Sequence, residues 1–214
     1  MARPREFDGD AVLTAAMTCF WARGFEATSV RDLLQATGIT GASLYNAFGD
    51  KRSLYRKALD HYVDRSIADR IRRCEALPPR DAIDSFFADI LQRSLSDRER
   101  RGCMLVNAAL DVAPHDPEFQ RIVGAALEQI EAFFRGRLEA GQADGTISGL
   151  RTSDELARHL LGVLMGVRVL ARARPDRNLL EGVIRPALAL LAPSRSARRR
   201  DRSTHAGPSS KDAP

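Results

Sequence analysis

Lysine is almost missing from this chain of 214 residues: only Lys51, Lys57 and Lys211 occur, among many arginines. That bias suggests a high-GC genome and has no bearing on function. Cysteine is sparse and odd in number (Cys19, Cys74, Cys103), with no Cys-x-x-Cys pair, which speaks against a disulfide framework and a zinc site. The four histidines are scattered, none three or four residues from another, so no metal is expected. Long apolar runs are lacking too. A membrane helix needs roughly 20 such residues, and the best stretch, Leu160 to Ala171, is short and contains Arg168. The N-terminus, with Arg3 and Arg5, has no apolar signal-peptide core, so a cytoplasmic location is expected. No carboxylate pair with a histidine, Gly-rich phosphate loop or nucleophile elbow stands out. An enzyme is therefore not expected, nor any cofactor.

What is present is an ordinary soluble composition, 44% hydrophobic and 29% charged. The net charge of +5 is concentrated at the end. Residues 193–214 hold six basic and two acidic side chains in a Ser/Pro/Gly/Arg context that reads as a disordered, solvated tail. Residues 1–57 hold eight basic and six acidic ones.

The rest reads as helix after helix, with no strand alternation. A first helix from Asp8 or Asp10 to Arg23 is stopped by Gly24. A short second helix starts at Thr28 or Ser29, buries Val30, Leu33 and Leu34, and stops at Gly38. Thr40 caps a third, Gly41 to Phe48, and Asp50 caps a longer fourth that reaches about Cys74. Leu77-Pro78-Pro79 breaks the chain. Beyond it come a helix with Phe86 and Phe87, one from about Gly102 to Ala113, a long one from Phe119 past Leu138, and two more over about 153–174 and 176–191. The fold class is all-α. A three-helix head occupies residues 1–52, a larger body 53–192 and the basic tail 193–214, with the junction inside the fourth helix.

The informative stretch is Thr28 to Lys51, two short helices around a glycine turn, which is the layout of a helix-turn-helix. At 100° per residue from Ser43, Leu44 falls at about 100° and Phe48 at about 140°, defining the face that docks on the other helices. Opposite lie Ala42, Ser43 and Asn46, small or hydrogen-bonding, a surface that lets the backbone approach base edges. Tyr45 sits on the flank, placed for a phosphate or for packing. Thr28 and Thr40, at helix N-termini, combine hydroxyls with free N–H groups, and Lys51 opens the fourth helix within reach of a phosphate backbone.

The run from Phe20 to Leu54 resembles the N-terminal domain of the TetR family of bacterial regulators. It carries Phe20-x-x-x-Gly-Phe25-x-x-Thr28-Ser-Val, Ala36-Thr-Gly38-Ile and Ser43-Leu-Tyr45-x-x-Phe48-x-x-Lys51-x-x-Leu54 without gaps. The resemblance implies a homodimer with one such head per subunit on a double-stranded DNA operator, and a variable body that binds a small-molecule inducer. It assigns phosphate contacts to Thr28, Thr40, Tyr45 and Lys51, and base reading to Ala42, Ser43 and Asn46 beside Gly41. Gln35 departs from the more usual alanine and adds a candidate contact. Asn46 departs from the commonly aromatic residue, which leaves the operator sequence open.

In the body, Arg101-Gly-Cys103-Met-Leu-Val-Asn107 resembles a subgroup with a Gly-Cys pair opening a helix and an asparagine four residues on. That subgroup includes regulators responsive to electrophiles and to aromatic ligands. Cys103 follows Arg98, Arg100 and Arg101 near a helix N-terminus, features that make a cysteine reactive; alternatively it is a small buried residue. Asn107 needs a hydrogen-bond partner from a ligand or from a backbone carbonyl. Met104, Phe86, Phe87, Phe133, Phe134 and Met165 are candidate pocket walls or plain core.

The last two helices carry Leu160, Leu161, Leu164, Val167, Leu188 and Leu191, read as a dimer interface or as intrachain core. The expected function is a repressor released from a palindromic operator by an apolar, aromatic or electrophilic ligand. The residues leave open an activator, and an architectural DNA-binding protein without an effector.

Overall fold

The structure, a computed structural model, describes residues 7–193. The expected tail, residue 193 apart, lies outside the described residues. Among the described residues ten α-helices follow in chain order: α1 (Gly9–Arg23), α2 (Val30–Thr37), α3 (Gly41–Phe48), α4 (Lys51–Tyr62), α5 (Asp69–Glu75), α6 (Pro79–Ser96), α7 (Met104–Asp111), α8 (Pro117–Ala143), α9 (Ser153–Ala173) and α10 (Arg177–Ala189). A π-helical stretch, Val63–Ala68, joins α4 to α5, and a 3-10 turn, Ala113–His115, precedes α8. No helix among the described residues is long and apolar enough to cross a membrane.

The helix ends follow the capping residues read from the sequence. Asp8 accepts from the Asp10 amide at 3.0 Å, Asp50 from the Ser53 amide at 2.7 Å, and Thr40 from the Ser43 amide at 3.2 Å. Pro79 and Pro117 occupy the first position of α6 and α8, where a missing N–H costs nothing. A capping box of Ser29 and Asp32 opens α2. Gly38 closes it at φ 70°, a conformation that L side chains rarely adopt. Replacing Ser29 by alanine is expected to lower stability by about 1 kcal/mol, or roughly 2–4 °C in Tm, measured by circular dichroism.

In the head, α1 packs along both α2 and α4. Val12, Ala16 and Phe20, spaced by four, are buried in the same core as Leu33, Leu44, Leu54, Ala58 and Leu59. Because Tyr55 and Leu59 of α4 belong to this core, the head draws on residues beyond position 52. In the body, α8 is the axis, flanked by α6 and α9. Phe86 and Phe87 of α6 interleave with Phe133 and Phe134 of α8, with ring centroids 5.1 to 6.0 Å apart. The turn after α8 folds back so closely that a Cβ on Gly141 would lie 2.5 Å from Ile147.

The π stretch was not foreseen. Its signature is a five-residue step in the apolar stripe, from Tyr62 to Ile67, in a rod otherwise spaced by three or four. A regular α-helix would turn one of these two side chains away from the core. The wider turn, with the Asp69 amide bonded to the carbonyl of Asp64, keeps both inside.

Candidate DNA-reading face and effector cavity

Leu44 of α3 is fully buried and Phe48 nearly so, fixing the helix on the head as the wheel anticipated. The opposite side is open: Ala42, Tyr45 and Asn46 are exposed, and Gly41 and Ser43 half-buried. Gln35 on α2 and Thr40 at the turn are exposed as well. The Thr40 hydroxyl also donates to the Ser43 hydroxyl at 3.1 Å, so the two form one polar edge. Lys51 lies over the Phe25 ring, 4.5 Å from its centroid, and donates to the Glu26 carbonyl at 3.3 Å. It pins the loop before α2 while remaining half-buried.

Thr28 is a correction. It is fully buried, and its hydroxyl donates to the Gly24 carbonyl at 2.6 Å, so it closes the turn between α1 and α2 and cannot meet a phosphate. The exposed hydroxyl at the start of α2 belongs to Ser29. Arg31, exposed and four residues before Gln35 on the same helix face, is a further candidate that the sequence reading did not include. Its position on that stripe was the available signal.

Two family models match this chain. That of bacterial regulatory proteins of the tetR family covers residues 12–58, and that of the tetracyclin repressor-like C-terminal domain covers residues 79–187. The chain belongs to the TetR family. An uncharacterized helix-turn-helix transcriptional regulator of Bacillus subtilis, YezE, is 34% identical over 89% of this chain and 100% of its own length. The transcriptional repressor ComR of Escherichia coli is 33% identical over 79% of this chain and 82% of its own. Among solved structures, a cysteine mutant of the TetR family regulator CifR complexed with 26-bp double-strand operator DNA superposes with a TM-score of 0.78. It shares 34% identity over 89% of this chain and 100% of that one.

The TetR-family body holds a cavity of about 30 Å³, between the π stretch, α6, α8 and α9. Tyr62, Ile67, Arg70, Phe86, Cys103 and Met165 are among its walls. That volume suits one or two water molecules. An aromatic ring enters only if the wall gives way, and the flexible, half-buried Met165 is the part best able to move. Of the residues expected to line a pocket, Phe86, Cys103 and Met165 do so. Phe87, Phe134 and Met104 are core with no face on the cavity, and Phe133 borders a separate open groove beside Arg72 and Arg137.

Cys103 stands outside its helix, as the residue before α7, with extended backbone angles (φ −118°, ψ 122°). It accepts a hydrogen bond from the Tyr62 hydroxyl at 3.4 Å. Burial pushes the Tyr62 phenol up, so this hydroxyl stays a donor at ordinary pH. The preceding arginines do not gather on the sulfur: Arg98 and Arg100 are exposed, and Arg101 lies over the Trp21 ring at 4.6 Å. Asn107 finds partners within the chain, donating to the Arg101 carbonyl at 3.0 Å and accepting from Arg172 at 2.8 Å. It fixes the Gly102–Cys103 turn and does not border the cavity.

Four of the six residues read as a dimer interface are corrected as well. Leu160, Val167 and Leu191 are fully buried inside the chain and Leu164 nearly so, because α9 turns its leucine face onto α8. Leu161 and Leu188 are half-buried. The outward side of α9 and α10 instead shows Gly162, Val169, Pro186 and Leu190, with Val169 47% and Leu190 53% exposed.

Head and body are clamped together. The Arg52 guanidinium spans Asp116 (2.8 Å) and Glu118 (2.6 Å), and Tyr55 packs on Phe119 with centroids 5.2 Å apart. Behind them, Trp21 of α1 meets Tyr62 edge-on at 5.0 Å. The cavity wall thus meets α1 of the head at the Trp21–Tyr62 ring pair.

Proposed function

We propose that the protein is an operator-binding repressor that works as a homodimer and is released by a small molecule entering the cavity behind Tyr62. The observation that carries this reading is the open face of α3, where Ala42, Tyr45 and Asn46 stand clear of a firmly docked helix. Ser43 and Asn46 offer hydrogen-bonding groups to base edges, Ala42 offers close approach, and Tyr45, Thr40 and Lys51 reach phosphates. That a CifR mutant 34% identical to this chain is complexed with operator DNA supports operator binding. Two copies joined through the outward side of α9 and α10 bring two α3 helices to a palindromic site.

The effector in this reading is a small apolar, aromatic or electrophilic molecule. Filling the cavity pushes on the π stretch and on Tyr62, whose ring bears on Trp21 of the head. A ligand that prefers one setting of the head shifts the affinity for DNA by that preference, and DNA shifts the affinity for ligand equally.

The test is fluorescence anisotropy on a labelled fragment flanking the gene, with excess non-specific competitor, before and after N-ethylmaleimide. An electrophile-sensing Cys103 predicts that specific binding is lost on alkylation of the wild type and kept by Cys103→Ser. Release in both proteins would place the reactive thiol elsewhere, and release in neither would leave Cys103 structural. Absence of specific binding to any genomic fragment would remove the regulator reading.

A further inference from the structure

In the sequence, Arg168 is a charge that interrupts an apolar helix. In the fold it is 8% exposed and lines both the inner cavity and an outer, polar cleft of about 190 Å³. Tyr62, Arg70 and Arg168 border both spaces and form the partition between them.

The charges around this partition do not balance. Arg70 lies 2.5 Å from Asp89, and Arg93, at the mouth of the cleft, leans on that same carboxylate at 3.1 Å. Burial acts to raise the Asp89 carboxyl, but the two guanidiniums outweigh it and hold the pKa below the usual range, so the group is fully ionised near neutrality. Arg101 faces Asp97 at 3.7 Å and Glu99 at 3.2 Å. Asp97 accepts from the Gly102 amide through Oδ2 at 3.0 Å, while its Oδ1 and Arg101 Nε, both in this cleft, are buried without a hydrogen-bond partner among the described residues. Arg168 alone among these four arginines has no carboxylate within ion-pair distance among the described residues. Its guanidinium donates to the Ser94 hydroxyl at 2.8 Å and to the Gly102 carbonyl, two of its five N–H groups. A buried cation is ordinarily paired, because its desolvation cost is otherwise unmet. The same cleft holds the indole N–H of Trp21, buried and with no acceptor among the described residues. Arg168 lacks a carboxylate partner and the Trp21 indole lacks an acceptor, so a ligand oxygen at the partition would meet both, with the Asp97 carboxylate also in the cleft lining.

From this geometry we infer that the effector is a small organic acid, its carboxylate held on Arg168 at the partition and its apolar part in the inner cavity. The inference rests on the effector-released reading above and adds to its apolar effector an acidic head group. The bidentate fit of guanidinium to carboxylate supplies the affinity for the head group. The inner walls of Ile67, Phe86, Ile90, Leu105, Ile130 and Leu164 exclude polar substituents, and the small volume favours short or compact acids. A neutral isostere, such as the amide, leaves the cation unpaired and loses most of the gain.

The test uses the full chain, with sodium salts of linear two- to six-carbon monocarboxylic acids and benzoate beside their primary amides, at constant ionic strength. Tm and anisotropy of the labelled operator are read in parallel. At least one acid is expected to raise Tm in a saturable way and to weaken operator binding on the order of tenfold or more, while its amide at equal concentration does neither. Arg168→Met, similar in length without the charge, is expected to keep operator binding and lose the response to the acid. An acid response equal to that of the amide, no response to any acid, or a response that survives in a folded Arg168→Met would overturn the proposal. Should Arg168→Met fail to fold, the acid-against-amide comparison in the wild type still decides it. If the wild type binds no operator, the regulator reading falls, while the Tm series still reports on the acid site.

Discussion

Placing a glutamate at position 42 abolishes specific operator binding, by on the order of 100-fold or more, and leaves the fold intact. Ala42 is exposed on the free side of α3, near the helix N-terminus and away from Leu44 and Phe48, which anchor it. A carboxylate there removes close approach to the base edges and sets a negative charge against the phosphates. Surface substitutions of this kind change stability by roughly 0.5 kcal/mol or less. Unfolding curves of Ala42→Glu should therefore overlay those of the wild type while anisotropy titrations separate widely. A variant that binds the operator normally would mean that α3 does not face DNA.

The largest loss of stability is expected from Phe134→Ala. Phe134 is fully buried and touches three rings, stacking on Phe87 at 5.7 Å and meeting Phe86 at 5.1 Å and Phe133 at 5.4 Å. Truncation removes the transfer free energy of the ring and leaves a cavity between α6 and α8, costing about 3–5 kcal/mol. For a chain of this size that corresponds to a fall in Tm of roughly 6–20 °C. Because Phe134 does not border the inner cavity, the apparent affinity for effector should change far less than stability does. A Tm within a degree or two of the wild type would show that the aromatic cluster is not the structural centre of the body.

Local signals carried the head. Capping residues at Asp8, Ser29, Thr40 and Asp50, with glycines at 24 and 38, set the helix limits almost to the residue, because capping acts over three or four positions. The burial of Leu44 and Phe48 followed from helical spacing alone. The body was less legible, since an apolar stripe says that a face is buried without saying against what. Leu160, Leu164 and Val167 were equally good candidates for a partner subunit and for α8; only the tertiary arrangement selects α8. Phe87 and Phe134 read as pocket walls for the same reason. Thr28 erred differently: a hydroxyl at a helix start suits an anion only when the next residue is not the cap, and here Ser29 is.

The cavity was nearly invisible because Arg168 comes from α9, far in sequence from Tyr62 and Arg70, which share one helical rod. Two traces of it were nevertheless present. One was the five-residue step from Tyr62 to Ile67, which only a π turn reconciles with burial. The other was a charge inside the apolar run of α9, at a position where the leucine spacing points inward. Neither trace identifies a ligand, but together they mark where the regular helical pattern gives way.

The measurement that bears most directly on the account is a hydroxyl-radical footprint of the purified wild-type protein on the DNA flanking its gene, run beside Ala42→Glu. One protected site with two-fold sequence symmetry is expected, its halves about one helical turn or more apart, with no protection by the variant at the same concentration. Even coverage without a preferred sequence, or a footprint that Ala42→Glu reproduces, would contradict it.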